Sequence, residues 1–115
     1  MRIGILGSLE VWADDGAPIT VGGPRPRALL VLLAYNANRV VTVDGIISAQ
    51  YGEVPPADAA GAVQAHVSRL RKVVKEVTFE GGGYRLALDP GDVDALRFER
   101  LAAEGRQSRL PARRR

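Results

Sequence analysis

Four cations, Arg69, Arg71, Lys72 and Lys75, lie within seven residues that contain no acidic side chain. Guanidinium and ammonium groups are hydrogen-bond donors only, so the chemistry such a cluster can do is to hold an anion. The planar fork of arginine also matches the O6/N7 edge of guanine, whereas lysine acts as a point charge. Gln64 and Ser68, about two turns and one turn before Lys72, add neutral groups; the amide and the hydroxyl can each both donate and accept. Cations on an isolated helix are more often merely solvated, so the elements that position them must decide.

The cluster ends a stretch with helical periodicity, Ala57 to Lys75, ADAAGAVQAHVSRLRKVVK. Ala60, Val63, Val67, Leu70 and Val74 recur at steps of three and four and form one apolar stripe that belongs in a core. Gly61, Ala65, Ser68, Arg69 and Lys72 fall on the opposite side, with Gln64, Arg71 and Lys75 beside them. That face is small where it starts and cationic where it ends. It can approach a polyanion closely, and a DNA major groove is about wide enough for one such helix.

Other chemistries find little support. His66 is the single histidine and sits at the edge of the apolar stripe, as a half-buried packing residue would. Asp14-Asp15 and Asp92-Val93-Asp94 are acidic pairs in turn-like contexts, without a histidine or third carboxylate at metal-ligand spacing. With no cysteine there is no disulfide, thiolate zinc site or thiol nucleophile. No catalytic constellation, metal site or cofactor site is expected, and the chain is not read as an enzyme.

The composition, 115 residues with 46% hydrophobic and 25% charged, is that of one ordinary globular domain. The longest apolar run, Ala28 to Tyr35, is eight residues, far below the ~20 that span a bilayer. A soluble, cytoplasmic protein is expected, with no membrane partner. The formal charge of +3 is unevenly placed: residues 1–104 hold 11 basic against 13 acidic residues, a net charge of −2, and the last eleven hold five arginines. Local field, not overall charge, therefore argues for an anionic partner.

Along the chain, alternating Ile3/Ile5 and Leu9/Val11, an Asp15-Gly16 turn and then Ile19/Val21 predict an antiparallel sheet of about three strands. Trp12 can close its edge by packing. After Gly22-Gly23-Pro24, an apolar helix spans Ala28 to Asn36, with Pro26 tolerated in its first turn. Arg25 and Arg27 at its start would suit a nearby phosphate, or are two solvated arginines. Thr42 is an N-cap candidate for a short helix carrying Val43, Ile46, Ile47 and Tyr51. The loop Gly52-Glu53-Val54-Pro55-Pro56 leads into the cationic helix. Val77/Phe79, three glycines, and Tyr84/Leu86/Leu88 then predict a β-hairpin. Asp92 to Glu104 reads as a further helix, and the basic tail 105–115 as a segment without order.

Sheet, three helices and a glycine-turned hairpin resemble an α+β winged helix-turn-helix with an N-terminal antiparallel sheet, a three-helix core and a C-terminal hairpin wing. The long loop before the third helix narrows the likeness to the OmpR type. Closer still, LGSLEV at residues 6–11, GGPRPRALL at 22–30, NANRVVTVD at 36–44, PPA at 55–57, VSRLRK at 67–72, GYRL at 83–86 and RFERL at 97–101 resemble the DNA-binding domain of the antibiotic-regulatory (SARP-type) activators of actinomycetes. Tyr51 stands where that family commonly has tryptophan, and the join between third helix and wing is short.

The resemblance implies a sequence-specific activator that binds direct repeats in double-stranded DNA near a promoter, with copies side by side, and contacts RNA polymerase. It implies a winged-helix domain over residues 1–91 and, at 92–104, a helix like the first of a bacterial transcriptional activation domain. The third helix would enter the major groove, with Arg69 on a base edge beside Gln64, Ala65 and Ser68. Arg71, Lys72 and Arg85 would touch phosphates, joined by Arg25 and Arg27. The loop with Gly52, Glu53, Val54 and Asp58 would face polymerase. The competing reading is a winged-helix protein-interaction module that binds polymerase or another regulator without specific DNA binding.

Overall fold

The computed structural model describes residues 1–113. Strands β1 (Arg2–Gly4), β2 (Glu10–Trp12) and β3 (Pro18–Ile19) form an antiparallel sheet in that order. Its second turn is closed by the Ala13 N–H to the Ala17 carbonyl at 2.8 Å, with Gly16 at φ 86. Ile3 and Val11 are paired across the sheet and both point into the core.

Helix α1 (Pro24–Tyr35) begins four residues before the expected Ala28. Pro24 and Pro26 both fit its first turn, where no intrahelical partner for their missing N–H exists. Leu29, Leu30, Leu33 and Ala34 are fully buried, as an apolar run this continuous requires. Strand β4 (Val41–Thr42) leads into α2 (Val43–Tyr51), whose N-cap is Thr42: its Oγ1 accepts from the Gly45 N–H at 3.0 Å.

Helix α3 (Ala59–Arg71) is shorter than the expected Ala57 to Lys75. The start is fixed by Asp58, whose Oδ1 accepts from the Gly61 N–H at 3.1 Å. Ala59, not Ala60, therefore opens the buried stripe, followed by Val63, Val67 and Leu70, and Ala60 is exposed. The end is fixed by the core: Val74 and Val77 are both fully buried, so the chain turns between Arg71 and Val77 to bring the two inward. Lys75 falls in that turn, outside the helix.

Strands β5 (Val77–Glu80) and β6 (Gly83–Leu86) make the hairpin, with Gly81 and Gly82 at φ 60 and 76 in its two-residue turn. Strand β6 is central, paired with β5 on one side and β4 on the other. The segment joining α1 and α2 is thereby tied to the hairpin that follows α3. Side chains of α1, α2, α3 and both sheets converge on a single core.

A 3-10 turn (Pro90–Asp92) precedes α4 (Asp94–Arg113). Val93 is fully buried and bridges Ile3, and Asp94 accepts from the N–H groups of Ile5 at 2.7 Å and Leu6 at 3.2 Å. The last helix thus begins by closing the N-terminal sheet. It starts two residues after the expected Asp92 and does not stop at Glu104. Leu101-Ala102-Ala103-Glu104 are good helix formers, and a helix already anchored at Asp94 propagates through them and across Gly105, whose penalty is only ~1 kcal/mol. Helix α4 runs on through part of the segment read from the sequence as lacking order, to Arg113; Arg114 and Arg115 lie outside the described residues.

Candidate nucleic-acid interface

The back of α3 is the apolar stripe; its front is Gln64, Ala65, Ser68, Arg69, Arg71 and Lys72, all exposed. Gly61, expected on this front, is half-buried beneath the Asp58 carboxylate, and a Cβ there would sit 2.2 Å from Asp58 Oδ2. Arg69 and Arg71 lie in the last turn, where the carbonyl end of the helix favours positive charge. Among the described residues, salt bridges join only the N-terminal ammonium to Asp14 and Arg85 to Glu80. Arg69, Arg71 and Lys72 thus have no carboxylate holding them back. Uncompensated cations on a face that starts with small side chains make a surface a polyanion can approach.

The other expected contacts are arranged differently. Arg85 is half-buried in the wing: its Nε donates to Glu80 Oε2 at 3.0 Å and its NH1 to Asn38 Oδ1 at 2.6 Å. Two of its nitrogens are thereby engaged in holding the hairpin to the α1–β4 turn. Arg27 is half-buried too, donating to the Val21 carbonyl at 3.1 Å. Arg25 is exposed, but its guanidinium lies over the Tyr51 ring, with Cζ 4.3 Å from the centroid, and donates to the Gln50 carbonyl. Gln50 Nε2 returns a hydrogen bond to the Arg25 carbonyl at 3.1 Å. This reciprocal clamp ties the start of α1 to the end of α2.

In the loop between α2 and α3, Gly52, Glu53 and Val54 are exposed, Val54 at 87%. Asp58, grouped with them from the sequence, is instead the α3 N-cap, so its carboxylate is turned onto the helix.

Two features escaped the sequence. His66 is half-buried as expected, but its Nε2 lies 3.2 Å from the Tyr51 hydroxyl, and its buried Nδ1 has no partner. Burial, then repulsion from Arg25 and Arg69, pushes its pKa below the ordinary 6.5. Phe79 is the second: it is 64% exposed on the wing and stacks edge-on against Tyr84, centroids 5.2 Å apart. Strand alternation puts Phe79 on the same face as the buried Val77, but the hairpin extends beyond the core there.

Comparison with known proteins places this arrangement. Residues 17–86 match the family model described as transcriptional regulatory protein, C terminal. Regulatory protein AfsR of Streptomyces coelicolor is 38% identical over 95% of this chain, which covers 11% of AfsR. A solved structure of Mycobacterium tuberculosis EmbR, in complex with a low-affinity phosphopeptide, superposes with a TM-score of 0.75 at 35% identity, over 84% of this chain and 27% of EmbR. The crystal structure of the DNA-binding domain of Bacillus subtilis CssR gives a TM-score of 0.54 at 25% identity, over 67% of this chain and 89% of that one. The chain therefore spans only a small part of the curated relatives it matches, and most of the CssR DNA-binding domain.

Proposed function

The chain belongs to the family of transcriptional regulatory proteins with an OmpR-type winged-helix domain, with SARP-type actinomycete regulators among its relatives, and from that premise we propose that it reads double-stranded DNA through α3. The observation that carries the reading is the front of α3, where Arg69, Arg71 and Lys72 stand exposed without acidic partners while the other side of the same helix is core. Arg69 reaches a base edge, with Gln64 and Ser68 as neutral neighbours and Ala65 allowing close approach. One good bidentate contact of this kind discriminates by ~1–3 kcal/mol. Arg71 and Lys72 hold phosphates and set the register.

The finer reading is an activator acting in the cytoplasm on direct repeats near a promoter, two copies side by side. The exposed Gly52-Glu53-Val54 loop, an apolar tip at Val54 with a neighbouring acid, supports a protein contact, which we assign to RNA polymerase. No helix of the described residues is long and apolar enough to cross a membrane.

The test is a fluorescence-anisotropy titration over a salt series, using a duplex selected from random sequence and a scrambled control. Binding to the selected duplex at least about tenfold tighter, with a salt slope of several units, supports the reading. Equal, weak binding to both duplexes would overturn it and favour a protein partner.

A further inference from the structure

The flank of α3 that faces α2 carries a cationic assembly built from three helices. Arg25 of α1 lies over the Tyr51 ring of α2 at 4.3 Å, and the Tyr51 hydroxyl meets His66 Nε2 of α3 at 3.2 Å. The Arg25–Gln50 clamp fixes the guanidinium further, through a donated and a returned hydrogen bond. The charged and titratable groups facing the imidazole are Arg25 from α1, Tyr51 from α2 and Arg69 from its own helix. Among the described residues neither arginine has a salt-bridge partner. Without an anion the assembly is frustrated: two cations face an imidazole whose Nδ1 is buried and unpartnered.

An arginine fixed before its ligand arrives loses little freedom on binding, which is what a phosphate seat requires. An anion beside it would also reverse the field at His66, turning repulsion of a proton into attraction. We propose that Arg25, held over Tyr51, seats one phosphate of the DNA backbone, and that His66 takes up a proton from solvent when the seat is filled. The inference rests on the reading of α3 as the DNA-binding helix, and Arg69 keeps its base-edge role. Once both ring nitrogens are protonated, Nε2–H donates to the Tyr51 hydroxyl oxygen and the bound phosphate balances the ring charge. The linkage is clean because His66 is the only histidine. The N-terminal ammonium is paired with Asp14 in the β2–β3 turn.

The experiment is anisotropy with the full chain and a duplex selected from random sequence at pH 6, 7 and 8, at fixed salt. Calorimetry in two buffers of different ionisation enthalpy then counts protons taken up by the wild type. Affinity should be at least about threefold tighter at pH 6 than at pH 8, with a ceiling of about tenfold per unit for one full proton. His66→Gln should flatten that dependence. Arg25→Ala should flatten it and lower the salt slope by about one. Wild-type binding without proton uptake, or a His66→Gln variant that keeps the wild-type pH dependence, overturns the seat while leaving the DNA-reading helix intact. If no duplex is bound at any pH, both fall. The calorimetric proton count needs no variant, so the proposal stays falsifiable even where a substitution fails to fold.

Discussion

Gly83 of β6 faces the Val41 carbonyl of β4 so closely that a Cβ on it would lie 2.2 Å from that oxygen and 2.8 Å from the Thr42 Cα. Both obstacles are backbone, and both belong to the pairing that ties the α1–α2 connection to the wing. The only relief is to part β4 from β6. Gly83→Ala should therefore cost about 1–3 kcal/mol, the range for forcing extra volume into a packed site. For a domain of this size that lowers the Tm by about 4–8 °C per kcal/mol. A thermal melt by circular dichroism checks it, and a Tm within 2 °C of wild type, far below the predicted shift of roughly 4–24 °C, would mean the strands are not held together here.

The N-terminus of α3 offers a test of coupling. Asp58→Ala removes the cap and should destabilise by about 1 kcal/mol. Gly61→Ala should also destabilise, because its new methyl would displace the capping carboxylate from 2.2 Å away. With Asp58 already replaced, the same Gly61→Ala change no longer meets that carboxylate and gains up to ~1 kcal/mol of helix propensity. Chemical denaturation of the two single variants and the double should thus show strong non-additivity, the double being more stable than the sum of the singles predicts. Simple additivity would mean that Asp58 does not cap the helix in solution.

Stability should depend on pH through His66. Its pKa is lowered in the fold by burial and by Arg25 and Arg69, so the native state prefers the neutral ring. Below the ordinary value of 6.5 the unfolded chain binds a proton that the folded chain refuses. Stability should be full above that pH and fall as pH drops below it toward the lowered native value. Melts of the DNA-free chain from pH 8 to pH 5.5 should show the decline, and His66→Gln should remove the part that begins near 6.5. A wild-type Tm that is flat or rises over this interval would contradict the sign.

What could be read from the residues follows from which interactions are local. Thr42 as a cap, the Asp15-Gly16 and Gly81-Gly82 turns, and the buried run in α1 each depend on neighbours a few positions away, and each is found where the pattern put it. The cationic front of α3 was equally legible, because helical spacing alone puts Ser68 and Arg69 opposite Val67 and Leu70. The ends of α3 were not, since periodicity continues through Val74 whether or not the chain is helical there. Nor were the partners of Arg25, Arg27 and Arg85. Each of those side chains is held in place by a group brought near only by the tertiary fold: Tyr51 and Gln50, the Val21 carbonyl, and Glu80 with Asn38.

That difference in partners separates a lysine and an arginine that looked alike in the sequence. Lys72 is exposed and, among the described residues, in no salt bridge, so a phosphate bound to it displaces counterions rather than a carboxylate partner. Arg85 donates through two of its nitrogens to Glu80 and Asn38, and a phosphate approaching it must also approach the Glu80 carboxylate, 3.0 Å from Arg85 Nε. Lys72→Ala should weaken binding to selected and scrambled duplexes alike and lower the salt slope by about one. Arg85→Ala should leave the slope nearly unchanged and instead loosen the wing, seen as faster amide exchange at Asn38 and along β6. Glu80→Gln distinguishes the cases further: releasing Arg85 from its acid should strengthen DNA binding if the wing lies near phosphates. A full unit lost from the salt slope on Arg85→Ala would return Arg85 to the phosphate contacts and make the Glu80 pair a feature of the unbound chain alone.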